Sequence, residues 1–88
     1  MAFIYFLVAK PEYKISYIGW TNNLKKRIKE HNEGKGAKFT RGRKWKLIYY
    51  EVVNNKSTAL KREYELKNNR KLRNLIKKNF QKKKINEK

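Results

Sequence analysis

Phe3-Ile4-Tyr5 and Ile15-Ser16-Tyr17-Ile18-Gly19-Trp20 are two short β-branched and aromatic runs, and the stretch between them decides the fold. That stretch, Ala9-Lys10-Pro11-Glu12-Tyr13-Lys14, is mostly polar and holds the only proline of the chain, as a turn does. Two apolar runs on either side of a short polar connection read as neighbouring antiparallel strands. A hairpin of this kind can bring the phenols of Tyr5 and Tyr17 to one side of a sheet. Thr21-Asn22-Asn23 then offers helix-capping side chains ahead of an amphipathic segment.

Working outward, residues 2–8 are nearly continuously apolar, which suits a central strand covered on both faces. Residues 15–20 form the second strand, where Gly19 permits a close backbone approach or a bulge. Residues 22–33 form a helix capped by Thr21 or Asn22, with Gly34 as the C′ residue that ends it. Its i, i+3, i+4, i+7 stripe is Leu24, Arg27, Ile28 and His31, so two ionisable side chains lie beside an apolar pair. An arginine facing the sheet or its rim needs an anionic partner or a cleft.

Residues 34–44 have no periodicity and combine three glycines with five positive charges and no acid. Such a loop can present Lys35, Lys38, Arg41, Arg43 and Lys44 to phosphates, with Phe39 available for stacking. Residues 45–53 are the third strand and the best β-former of the chain. A second helix is expected over about 58–68, capped by Ser57 or Thr58, with the stripe Ala59, Leu60, Glu63, Tyr64 and Lys67. A third is expected over 71–80, with Leu72, Leu75, Ile76 and Phe80 as its apolar side. The order ββαβαα makes an α+β domain over residues 1–80, followed by a basic tail, 81–88, expected to be disordered.

Composition restricts the function. The 88 residues carry 25 Lys+Arg against 7 Asp+Glu, a net charge of +18, and the natural counterpart of such a field is a polyanion. The alternative is lysine-rich usage that serves only solubility. No cysteine is present, which excludes disulfides and thiolate metal sites, and a single histidine excludes a polyhistidine zinc site. No apolar run approaches the roughly 20 residues that span a bilayer. The first residues lack the basic flank of a signal peptide, so a soluble, cytoplasmic protein without membrane association is expected.

A strand tyrosine, Arg27, His31 and Glu63 thus stand where the apolar pattern predicts burial. Each alone has an ordinary structural explanation, yet together in so basic a domain they suit phosphodiester cleavage. Glu63 can hold one Mg²⁺ (or Mn²⁺) through a hard oxygen, with waters filling most of the shell. A single carboxylate is too few for a two-metal site. Arg27 can stabilise charge that develops at the phosphate. A tyrosine can take a proton from water if Arg27 and the metal lower its pKa from about 10. His31 is a candidate proton partner or phosphate ligand.

Phe3-Ile4-Tyr5 and, eleven residues later, Tyr17-Ile18-Gly19 resemble the two half-motifs of the GIY-YIG endonuclease superfamily. The likeness is closest to small stand-alone bacterial members and extends over about residues 2–80. It includes Arg27, His31, the run from Glu30 to Gly42, and Ala59-Leu60-Lys61-Arg62-Glu63. The resemblance implies a three-stranded antiparallel sheet flanked by helices. It also implies roles for individual residues: Tyr5 hydrogen-bonds within the site, Tyr17 acts as or assists the general base, and Arg27 binds the scissile phosphate. His31 takes the place of a His or Tyr, and Glu63 is the ligand of the metal. Phe3 replaces the glycine of the first half-motif, and Asn74 is the nearest candidate for an asparagine that follows the glutamate in many relatives.

The reading is a metal-dependent endonuclease acting on nucleic acid, DNA in preference to RNA, as a monomer, with a separate protein partner conceivable as the source of specificity. The alternative is a non-catalytic DNA- or RNA-binding module on the same scaffold, with a ribosomal or RNA-associated protein as a third reading. The intact Tyr17–Arg27–His31–Glu63 set favours the enzyme, since binding alone has no use for a lone acid facing a phosphate.

Overall fold

The computed structural model describes residues 1–86 and has the order ββαβαα. Strands β1 (Ala2–Ala9), β2 (Ser16–Thr21) and β3 (Trp45–Val53) form one antiparallel sheet in the order β2-β1-β3. The most apolar strand, β1, is therefore the central one. Its side chains alternate between two cores, and both faces are covered, as its uninterrupted hydrophobicity requires. Ile4, Phe6 and Val8 pack with Ile18, Ala59, Leu66 and Ile76 beneath helices α2 (Lys56–Lys67) and α3 (Arg70–Asn86). Tyr5, Leu7 and Ala9 pack with Trp45, Leu24 and Ile28 beneath helix α1 (Leu24–Asn32).

A bulge in β3 serves both layers. Phe6 pairs with Tyr49 but Leu7 with Leu47, so Ile48 is the extra residue. Trp45 and Leu47 thus join the α1 side, while Tyr49 and Val53 join the other. On that second side Glu51 accepts two hydrogen bonds from Arg62, from Nε at 2.7 Å and from Nη2 at 2.9 Å, and a further one from the Tyr49 hydroxyl. The fork ties β3 to α2, and it holds the Glu51 carboxyl below its ordinary range.

Several boundaries differ from those expected. Asn23, rather than Thr21 or Asn22, caps α1, its Oδ1 accepting from the Lys26 amide at 3.2 Å. Asn55 caps α2 through the Thr58 amide at 2.9 Å, so that helix starts two residues before the expected position. Asparagine competes for these caps because its carbonyl oxygen reaches the third amide without strain. Gly34 does sit just beyond α1, with φ 78°. The buried stripe of α2 is Ala59 and Leu66, flanked by half-buried Arg62 and Glu63, whereas Leu60 and Tyr64 are exposed. Leu75 is exposed as well. α3 continues to Asn86, six residues into the segment expected to be a disordered tail, because Gln81 to Lys84 offer helix formers and no stop signal. Residues 87 and 88 of that expectation lie outside the described residues.

Candidate active site

The β1–β2 register sets Tyr5 directly opposite Gly19. The phenol of Tyr5 lies across that glycine: a Cβ there would fall 2.6 Å from Tyr5 Cζ and nearer still to its hydroxyl. The close approach anticipated at Gly19 is therefore made by a side chain of the neighbouring strand. Tyr17 stands on the same side, its ring centroid 6.3 Å from that of Tyr5, so the hairpin does bring the two phenols together.

His31, from the last turn of α1, is fully buried between them. Its Nε2 is 2.8 Å from the Tyr5 hydroxyl and its Nδ1 2.8 Å from Thr40 Oγ1. Thr40 belongs to a single 3₁₀ turn, Lys38–Thr40, which interrupts the loop read as irregular. The protons follow from counting. Thr40 has one hydroxyl proton and donates it to the Ala37 carbonyl at 2.8 Å. Its oxygen must therefore accept from His31 Nδ1–H, which leaves Nε2 bare to accept from Tyr5. The Arg27 guanidinium lies near the Tyr5 oxygen and acts on it by its charge. One directed chain results: phenol to imidazole, imidazole to hydroxyl, hydroxyl to carbonyl.

This chain corrects one expectation and shows what opposes another. His31 cannot hold a phosphate, because it is buried and both ring nitrogens are occupied. Burial, and then the charge of Arg27, lower its pKa, so it is a neutral ring that positions Tyr5. The phenols are not acidified either. Burial pushes Tyr5 up to about 12, with Arg27 opposing. Tyr17 is also raised, by burial first, with Arg27 opposing and the Glu63 charge adding. Arg27 alone does not overcome desolvation, so Tyr17 is a neutral hydroxyl in the protein without a cation bound.

Arg27 is held by Glu30, at 3.3 Å from Nη1, and lies near Tyr5. About a third of its side chain is exposed, which leaves the rest of the guanidinium open to an anion. Glu63 reaches the same place from α2, which packs along the edge strand β2, and its charge acts on both phenols. Its carboxylate makes no hydrogen bond among the described residues; its one partner is Lys67, 3.8 Å away. Unfilled hard oxygens beside Tyr17, with no nitrogen or sulfur donor in support, fit a single hydrated divalent cation of the Mg²⁺ type. No group of three or more potential ligands occurs among the described residues.

Lys35, Lys38, Arg41, Arg43 and Lys44 are all exposed on the segment joining α1 to β3. Phe39 is 52% exposed but not free on both faces. It stacks on Tyr17 with 21° between the planes, and the Arg43 guanidinium lies 5.5 Å from its ring centre. Asn74 is exposed on α3 and makes no hydrogen bond or ion pair among the described residues.

Sequence reasoning missed three members of the site. Thr40 sits in an aperiodic loop, where a buried hydroxyl gives no signal. Gly36 was read with a phosphate-binding loop, yet a Cβ there would fall 2.8 Å from His31 Cε1 and 2.9 Å from Cγ, so the glycine admits the imidazole. Trp45 anchors the 3₁₀ turn, its Nε1 donating to the Thr40 carbonyl at 2.9 Å.

Compared with known proteins, residues 1–86 match the family model described as the GIY-YIG catalytic domain. The chain belongs to the GIY-YIG family. Within it, the chain is 54% identical over 68 residues to the UPF0213 protein CPE1444 of Clostridium perfringens, covering 76% of this chain and 71% of that one. It is 44% identical to the UPF0213 protein SH2523 of Staphylococcus haemolyticus, covering 76% and 83% of the two chains. The solution structure of the UPF0213 protein BH0048 of Bacillus halodurans superposes with a TM-score of 0.51 at 35% identity, over 86% of this chain and 82% of that one. The GIY-YIG family is one of nuclease type that works on nucleic acid with divalent metals. Among the described residues no helix is long and apolar enough to cross a membrane.

Proposed function

We propose that the protein is an endonuclease that hydrolyses phosphodiester bonds, of DNA in preference to RNA, with one Mg²⁺ or Mn²⁺ held by Glu63. The observation that supports this reading is that the charges of Arg27 and Glu63, from two different helices, both act on the Tyr17 phenol. A pure binding surface gains nothing from a carboxylate set against bound phosphate.

The residues divide the work. Arg27, steadied by Glu30, presents its remaining donors to the scissile phosphate and answers the charge that grows there during attack. Tyr17, neutral at rest, orients the attacking water through its hydroxyl oxygen and takes the water's proton only as it passes its own phenol proton on to solvent. Tyr5, His31 and Thr40 form the fixed chain beside Arg27. Glu63 would hold the divalent cation, which would supply Lewis acidity to oxygens near it. Lys35, Lys38, Phe39, Arg41, Arg43 and Lys44 hold the substrate backbone beside Tyr17. We place the activity in a monomer, with specificity added by a separate protein where one is needed.

The test is cleavage of supercoiled plasmid and of flapped or branched DNA at low salt with Mg²⁺ or Mn²⁺, with Glu63→Gln purified in parallel. Wild type cuts; the variant does not, and binds DNA as well or better because a negative charge has gone. Tight binding without cutting by either protein would replace the enzyme with the non-catalytic binding module.

A further inference from the structure

Tyr17 is also one wall of a cleft of about 200 Å³, lined by Ser16, Ile18, Lys67 and Arg73 as well. Two of the five lining residues are cations, and none is an acid. The cleft opens at the edge strand β2, where the hairpin meets the end of α2 and the start of α3. The Tyr17 ring itself lies on the α1 side of the sheet with Tyr5 and His31, and the cleft adjoins the candidate active site through Lys67, whose ammonium is 3.8 Å from the Glu63 carboxylate.

The two cations are held differently. Arg73 Nη1 donates to the Leu66 carbonyl at 2.9 Å and to that of Lys67, satisfying the last carbonyls of α2. That capping uses one nitrogen of the guanidinium. Nε and Nη2 make no hydrogen bond among the described residues, so a fork suited to phosphate stays available at a fixed place. Lys67 is half-exposed and sits 3.8 Å from the Glu63 carboxylate, beyond hydrogen-bond length. At that distance the ammonium is held by charge alone, with no hydrogen bond to give up, so Lys67 can turn to a better anion. Lys77 follows on α3, its ammonium donating to the Lys14 carbonyl at 3.0 Å. Lys67, Arg73 and Lys77 thus continue the positive surface past Tyr17, away from the basic loop.

We propose that this cleft is a second phosphate subsite, which takes the phosphodiester adjacent to the one being cut. It rests on the nuclease reading above. Arg73 supplies a fixed bidentate contact, and Lys67 supplies a movable one. In the resting protein Lys67 neutralises Glu63. When a divalent cation or the substrate backbone arrives, Lys67 turns from the carboxylate to the neighbouring phosphate. The strand would then be gripped at the scissile phosphate by Arg27 and at the neighbouring phosphate by the Lys67–Arg73 pair, which fixes the direction in which it crosses Tyr17.

The test uses fluorescein-labelled single-stranded DNA and fluorescence anisotropy in EDTA over a range of KCl, with cleavage in Mg²⁺ measured separately. Lys67→Gln is compared with Lys61→Gln, which removes the same charge from another face of the same helix. Each phosphate contact on a single strand contributes about 0.7 to the slope of log K against log salt. Lys67→Gln is expected to lower the magnitude of that slope by about one such contact, with Lys61→Gln at the wild-type value. Arg73→Lys, which keeps a donor for the α2 carbonyls but loses the fork, is expected to weaken binding while circular dichroism shows the helices intact. Equal effects of Lys67→Gln and Lys61→Gln, or none from Lys67→Gln, overturn the subsite; if wild type still cuts DNA, the nuclease reading stands without it. A wild type that neither binds nor cuts nucleic acid overturns both.

Discussion

Tyr5 and His31 lie 26 residues apart in the chain and share a buried 2.8 Å hydrogen bond whose direction is set from the far side of the imidazole. Because Thr40 spends its one proton on Ala37, His31 must carry its hydrogen on Nδ1 and receive one from Tyr5 on Nε2. A charged imidazolium would have a donor on each nitrogen and could not accept from the phenol. The site is complete only while this ring is neutral.

The first prediction concerns acid. An unperturbed histidine is half charged near pH 6.5, whereas burial and Arg27 lower the pKa of His31, so that the neutral form predominates there. Its folded-state pKa is depressed, so its contribution to stability is fully present above the unfolded value. That contribution is lost as pH falls below about 6.5 toward the folded value. Nitrogen-15 NMR of the imidazole at pH 6.5 is expected to show the neutral Nδ1–H tautomer. A half-protonated ring at that pH would refute the assignment.

Thr40 supplies the second. Thr40→Val keeps the shape of the side chain and removes the acceptor, leaving a buried Nδ1–H unpaired. The cost should be about 1–3 kcal/mol in urea unfolding. Thr40→Ser, which restores the hydroxyl, is expected to recover most of it. Valine as stable as threonine would mean that the hydroxyl does not fix the ring.

Gly19 supplies the third. An added Cβ falls 2.6 Å from Tyr5 Cζ, and that ring is buried, tied to His31 and set in the central strand, so it has nowhere to go. Gly19→Ala is expected to destabilise by about 1–3 kcal/mol and to disturb the His31 signals. Gly36→Ala meets the same imidazole from a loop that can shift, and is expected to cost less in the same unfolding experiment. Equal costs would show that the strand yields as readily as the loop.

The strands and helix order were legible because apolar runs and caps are local signals. So was the convergence of Tyr5, Arg27 and His31, since cross-strand and one-turn spacings bring residues together whatever else the chain does. What was illegible depends on contacts that sequence spacing does not record. The bulge at Ile48 flips the phase of β3, so Trp45 and Tyr49 serve opposite faces although they share a parity. Leu66 displaced Leu60 and Tyr64 from the buried stripe of α2 because the helix meets the sheet along Ala59 and its successors at two turns. Thr40 and Gly36 sit in a segment without period, where their charge-rich neighbours suggest solvent. The size of the burial that opposes Arg27 at Tyr17 was illegible as well, because it depends on packing from several elements.

The strand order β2-β1-β3 has a consequence for synthesis. β1 is made first yet sits at the centre, and its second edge stays bare until residues 45–53 exist to pair with it. A chain stopped before Trp45 therefore displays its most apolar strand with one side of the backbone unsatisfied, the template on which chains aggregate. Truncations that end in the basic loop should be insoluble for that reason, even though every residue of the Tyr5–His31–Thr40 chain would be present in them.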